Sequence, residues 1–310
     1  MKNFSANSYQ RTRNLFNPNA TAPYRLSRSR LENFLNCPRC FYLDRRLGIE
    51  FPPTPAFTLN SAVDHLLKKE FDGYRRLRSP HPLMSSAGIN AIPFDHPMLE
   101  TWREVFKGVQ YHHQATNLLI FGAVDDIWID SQKQLLVVDY KATSTDQAIS
   151  MDQEYRQAYK RQMEIYQWLL RKQNLNVSNT GYFVYCNADK TRLNFNAKLD
   201  FTIQVMPYEG IDTWVESAIV AAHECLIRES LPEYTDNCSY CSYRRISQQL
   251  ENPSIALKKS EQDRFSLPSS AIKKRAKKIL NPLRQGPTGF TSPISLKDTH
   301  PTEIQDELFK

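Results

Sequence analysis

Two Cys-x-x-Cys pairs set the strongest constraint on this chain. Cys37-Pro-Arg-Cys40 lies near its start and Cys238-Ser-Tyr-Cys241 follows almost 200 residues later. A fold that uses all four thiols must therefore close that long loop and bring its two ends together. The spacing differs from a disulfide framework. It reads as a ligand set, four thiolates for a tetrahedral zinc ion or for an iron-sulfur cluster. Cys186, in GYFVYCNA, and Cys225, in VAAHECLI, sit in apolar-patterned segments and read as small buried hydrophobes.

The chain has 310 residues, 41% apolar and 24% charged, which allows one large domain or two small ones. No apolar run approaches the ~20 residues needed to span a bilayer. The opening MKNFSANSYQRTRNLFNPNA also lacks the apolar middle of a signal peptide. The expectation is a cytoplasmic protein with no membrane contact. A net charge of +7 suits a polyanionic partner. The first 30 residues hold no Asp or Glu, so residues 1–24 read as a basic disordered arm, 25–250 as the folded domain, and 251–310 as a polar, basic, largely disordered tail with one helical patch, AIKKRAKKIL.

Periodicity divides the domain. A capped helix is predicted in LSRSRLENFLNC, with Leu31, Phe34 and Leu35 on its apolar face. A second runs through LNSAVDHLLKKEFDGYR, where Val63, Leu66, Leu67 and Phe71 recur at helical spacing. A Pro-rich loop covers Ser79 to Pro97. Strands follow in GVQYHHQAT, NLLIFGAVDDIWID and QLLVVDYKAT, the last two joined by the turn DSQKQ as an antiparallel hairpin. Next come a long helix, EYRQAYKRQMEIYQWLLRKQ, strands TGYFVYCNA and DFTIQVMPY, and a helix from about Gly210 to Glu229. This order, αβββαβ, is an α/β fold with a central mixed sheet flanked by helices.

LLVVDYKAT concentrates the chemistry. Side chains alternate along a strand, so Val137, Asp139 and Lys141 share one face, and Val138 and Tyr140 the other. The hairpin can bring Asp125 beside Asp139. Two carboxylates held close together repel unless a cation lies between them. All-oxygen ligation favours Mg²⁺ or Mn²⁺. Lys141 adds a positive group able to hold a water or a phosphate oxygen. The plainer alternative is a strand-end salt bridge between Asp139 and Lys141, with Asp125 capping a turn.

Taken in order, SRLENFLNCPRCFYL, LNSAVDHLL, GAVDDIW, VVDYKAT, Gln162-x-x-x-Tyr166 and CSYCSYR resemble the PD-(D/E)XK nuclease superfamily, in its RecB-like and CRISPR-adaptation-nuclease-like branch. The resemblance covers Leu26 to about Arg245. It implies a restriction-endonuclease-like core with cysteine-pinned ends, and Mg²⁺- or Mn²⁺-dependent hydrolysis of single- or double-stranded DNA in repair, recombination or defence, with a possible protein partner in such a complex. It casts Asp125, Asp139 and Lys141 as catalytic residues and Asp64, Asp125 and Asp139 as metal ligands, with the Tyr140 carbonyl as a further oxygen. Gln162 and Tyr166 become nucleic-acid contacts, and Arg156, Lys160 and Arg161 can reach the nucleic-acid backbone.

The first motif departs from the family. Asn60 stands where a glycine is usual, and Asp64 takes the register in which relatives carry His, with His65 one residue later as the minority candidate. The resemblance favours a [4Fe-4S] cluster on Cys37, Cys40, Cys238 and Cys241, with Zn²⁺ as the alternative, although relatives divide these cysteines one and three. A second functional class stays open: a catalytically degenerate nucleic-acid-binding or scaffold protein with the nuclease fold.

Overall fold

A computed structural model describes residues 10–51, 58–151, 153 and 156–251. The chain divides into Met1–Ile246 and Ser247–Lys310. Of the second unit only the helical residues 247–251 are described, so the expectations for the tail, AIKKRAKKIL included, lie outside the described residues.

In chain order the elements are β1 (Tyr24–Ser27), α1 (Arg28–Asn36), α2 (Pro38–Arg45), α3 (Thr58–Leu77), α4 (Pro82–Ser86), β2 (Ala91–Pro93), α5 (Leu99–Arg103), β3 (Val109–His113), β4 (Leu118–Gly122), β5 (Asp126–Asp130), β6 (Leu135–Thr143), α6 (Gln157–Lys172), β7 (Thr180–Ala188), β8 (Phe201–Glu209), α7 (Val215–Ile227) and α8 (Ser239–Glu251). The central sheet is mixed, in the order β2-β5-β6-β7-β8. Its β6–β7 pair is parallel and joined through α6, whereas the other neighbours run antiparallel. A smaller sheet, β1-β4-β3, stands beside it. The α/β architecture read from the sequence is present, with helices flanking a mixed sheet. Among the described residues no helix is long and apolar enough to cross a membrane.

Strand β6 separates two cores, as a period of two requires. Val137 packs on the α6 side with Met163, Ile165 and Tyr166. Leu136, Val138 and Tyr140 pack on the α3 side with Leu67 and Phe71. α3 reaches that face because Val63, Leu67 and Phe71 recur every four residues, making one apolar stripe. Leu66, expected on the same stripe, is exposed, one step of about 100 degrees away from it.

Three expectations change. NLLIFGAVDDIWID is two strands rather than one: the chain leaves β4 at Gly122 and enters β5 at Asp126, each in a different sheet. The break falls at a glycine for a steric reason. A Cβ on Gly122 would lie 2.7 Å from Cε1 of Tyr166 and 3.3 Å from Cβ of Arg28. The fully buried Val124 keeps the run apolar across the bend, which hides it from periodicity. The supposed loop from Ser79 to Pro97 contributes α4 and edge strand β2.

The disordered arm is the third correction. Residues 1–9 lie outside the described residues; of the rest, Gln10 bridges to Ile49, Phe16 is buried and Tyr24 opens β1, whereas residues 17–23 are exposed. Arg11 donates to the Asp44 carbonyl at 2.6 Å and pairs with Glu50 at 2.9 Å. Acceptors for this acid-free segment come from α2 and the turn after it, so its basic character does not mean lack of partners.

Candidate functional site

β5 and β6 pair with Asp126 opposite Val138, and Asp125 sits in the bend just before β5 as Asp139 follows Val138 on β6. Asp125 Oδ2 accepts the Tyr140 backbone N–H at 2.9 Å. Within a strand, a residue's N–H and C=O point to the same side, so the Tyr140 carbonyl is directed towards Asp125 as well. The two carboxylates thus meet where β6 emerges from the core, its burial ending after Tyr140.

Asp139 is wholly buried. Its Oδ1 accepts from Gln162 Nε2 at 2.7 Å, and the same amide nitrogen lies 3.2 Å from the Tyr166 hydroxyl. Its Oδ2 is paired with the Lys141 ammonium and, among the described residues, has no other partner. Burial raises the Asp139 carboxyl to about 6; Lys141 opposes the shift and the Asp125 charge adds to it. Burial pulls Lys141 downward, but Asp139 and Asp125 outweigh it and hold the ammonium above the ordinary lysine value. Lys141 also lies 4.5 Å from the Tyr159 ring centroid and 3.5 Å from Gln162 Oε1.

The first-motif residues come from α3, on the opposite face of the sheet. Asp64 is half-buried, and burial together with the Asp125 charge raises its pKa. His65 is exposed on the same helix. Between Asp64 and Asp125 stands Lys68, its Nζ 2.8 Å from Asp64 Oδ2 and 3.5 Å from Asp125 Oδ1. Burial would lower Lys68, yet Asp125 and Asp64 raise it, so it is a cation at neutral pH.

Sequence reasoning passed over several of these groups. Lys68 lies four residues after Asp64, a helical pair that spacing alone could have flagged. Arg28 opens α1, whose first turn has no acid. Its charge opposes the rise that burial imposes on both Asp139 and Tyr166, and among the described residues it makes no hydrogen bond or ion pair. Asp126, hidden as the second Asp of GAVDDIW, is wholly buried and anchors the bend. It bonds Arg75, Arg103 at 2.9 Å and the Tyr140 hydroxyl at 2.8 Å. Arg103 donates in turn to the Asp125 carbonyl at 3.2 Å.

The residues expected to reach nucleic acid from the α6 region are placed differently. Gln162 and Tyr166 are buried behind Asp139. Arg161 pairs with Glu32 at 2.6 Å, Arg156 is buried and lies 5.0 Å from the Tyr185 ring centroid, and Lys160 lies 5.6 Å from that of Tyr208. α6 packs across the sheet, so most of its side chains face protein.

A divalent cation suits the acidic centre. Its donors are hard oxygens, and Asp139 presents a buried carboxylate oxygen without a hydrogen bond. The cysteines form a second centre, where Cys37, Cys40, Cys238 and Cys241 place their sulfurs within 4.8 Å of one another. Cys37–Cys241 is 3.8 Å, Cys40–Cys238 3.6 Å and Cys40–Cys241 3.4 Å. Four bonds of about 2.3 Å to a tetrahedral zinc put sulfurs about 3.8 Å apart. A [4Fe-4S] cluster gives each thiolate its own iron, whereas a single zinc ion gathers all four sulfurs around one centre. Burial pushes Cys241 up to about 11. At Cys37 the backbone N–H groups of Cys40 and Thr235 overcome burial and bring the thiol down to about 7. Cys186 and Cys225 are free and buried elsewhere, as read from their apolar surroundings.

In comparisons with known proteins, the family model described as the PD-(D/E)XK nuclease superfamily matches residues 66–246. A search of curated proteins finds no match.

Proposed function

Since the chain belongs to the PD-(D/E)XK nuclease superfamily, we propose that it hydrolyses DNA phosphodiester bonds in a reaction that depends on Mg²⁺ or Mn²⁺. The observation that carries this reading is the convergence of Asp125, Asp139 and Lys141 at the end of β6, with Asp139 buried and one of its oxygens free of hydrogen bonds. Asp125, Asp139 and the Tyr140 carbonyl would hold the ion, with Asp64 nearby. When bound, the ion supplies a Lewis acid for the phosphate and an acidified water.

The protein's own groups do the rest. Gln162 ties down Asp139 Oδ1, and the cation would share Oδ2 with the Lys141 ammonium. Tyr166 holds Gln162 in turn. Lys141 orients the attacking water and stabilises negative charge developing on the phosphoryl oxygens. Arg28, half-buried and without a hydrogen bond or ion pair among the described residues, would take a phosphate oxygen of the substrate. The role lies in repair, recombination or defence, as in the RecB-like branch. The cysteine tetrad holds one zinc ion, which joins α2 to α8 and ties the ends of the domain together.

The test is cleavage of labelled single- and double-stranded DNA by wild type, Asp139→Ala, Lys141→Ala and Arg28→Ala with Mg²⁺ or Mn²⁺. Loss in the first two variants, and weaker substrate binding in the third, is expected. Equal cleavage by wild type and Asp139→Ala would mark a contaminant and end the assignment.

A further inference from the structure

Lys68 occupies the gap between the acid of α3 and the acid at the β4–β5 bend. Its Nζ stands 2.8 Å from Asp64 Oδ2 and 3.5 Å from Asp125 Oδ1. The other oxygen of Asp125 is already engaged by the Tyr140 N–H, so Lys68 meets the oxygen of Asp125 that is still available. On the far side of Asp125, Asp139 carries its own ammonium, Lys141. Each end of the carboxylate row thus holds a lysine.

Charge counting decides what this row can accept. Among the directly paired groups, three carboxylates against two ammoniums leave a net charge of −1, and the Arg28 and Arg103 guanidiniums also act on these carboxylates. One divalent cation brings the centre to +1, which a phosphodiester neutralises. A second divalent cation would bring it to +3, with that ion placed against the Lys68 ammonium, where like charges repel. The spread of the acids agrees: among the described residues only the cysteine tetrad gathers three or more such ligand atoms within 4.8 Å.

We propose that Lys68 is a resident monovalent cation that fills the Asp64–Asp125 position and limits this site to one divalent ion, held by Asp125 and Asp139. Asp64 then acts as the positioning partner of Lys68 rather than as a ligand, and Lys68 contributes the charge that a second ion would otherwise bring. The inference rests on the metal-dependent nuclease reading and deepens it. It also accounts for the departure of the first motif from the family: an acid in the His register is needed to hold a lysine four residues further on.

The test is calorimetric titration of the full-length chain with MnCl₂, with Asp139→Asn as the blank for binding elsewhere. Wild type takes up one Asp139-dependent Mn²⁺, and Lys68→Met takes up two. Lys68→Gln, a polar replacement on a helix face, makes the same charge change should the Met variant misfold, and Lys68→Arg keeps one ion. Two ions on wild type, or one on both neutral variants, overturn the proposal while leaving the nuclease reading intact. No Asp139-dependent Mn²⁺ on wild type overturns both.

Discussion

Asp139 should destabilise the apoprotein in a pH-dependent way, and Asp139→Asn isolates that effect. Burial raises its carboxyl from the ordinary 3.8 to about 6 in the folded chain. Between these values the folded state keeps a proton that the unfolded state has lost, so wild-type stability falls as pH rises from about 4 to about 6 and then levels off. At ~1.4 kcal/mol per pH unit the loss is about 3 kcal/mol. Over a domain of this size that is on the order of 5–10 °C in melting temperature. The amide cannot ionise. It also leaves Lys141 without its partner, but Lys141 stays charged across this range, so that penalty shifts the whole curve and not its slope. The assay is urea unfolding of both proteins from pH 4.5 to 8 in buffer free of Mg²⁺ and Mn²⁺, read as the difference between them. The advantage of Asp139→Asn grows up to about pH 6 and is flat above it. A difference that is constant with pH, or that shrinks as pH rises, refutes the burial argument. Added Mn²⁺ then stabilises wild type by mass action and leaves the variant unchanged.

Three other outcomes follow from the same network. Asp126→Ala takes one shared carboxylate from buried Arg75 and part-buried Arg103, which keep Asp72, and unfolding free energy drops by about 1–3 kcal/mol; no loss in urea would contradict the packing. Gly122→Ala drives a methyl group against Tyr166, which moves the support of Gln162. DNA cleavage then falls on the order of 10–100-fold while the melting temperature shifts by a few degrees, and unchanged cleavage would remove Tyr166 from the positioning chain. Metal analysis of chain produced with both iron and zinc supplied gives one zinc and a colourless protein, and Cys37→Ser loses the zinc; stoichiometric iron with visible absorption would restore the cluster.

Some signals in the sequence are local and others are not. Asp139 and Lys141 were legible because a period of two and a buried apolar run need only neighbouring residues. Asp125 was legible because a short turn fixes an antiparallel register. The break within NLLIFGAVDDIWID was not, since Val124 continues the apolar run and the reason for the bend, the ring of Tyr166 over Gly122, comes from a helix more than 40 residues later. Lys68 was missed because helical spacing pairs it with Asp64 but says nothing of Asp125 across the sheet.

The sequence by itself determined the α/β order, the acid-and-lysine strand, and the demand that CPRC and CSYC meet. These rest on chain-local periodicity and on the chemistry of thiolates. Only the tertiary structure decided how closely four sulfurs approach, which side of Asp125 carries a lysine, and that Gln162 and Tyr166 stand behind a carboxylate. Distances between elements are set by packing of side chains on opposite faces of a sheet, and no spacing along the chain records them.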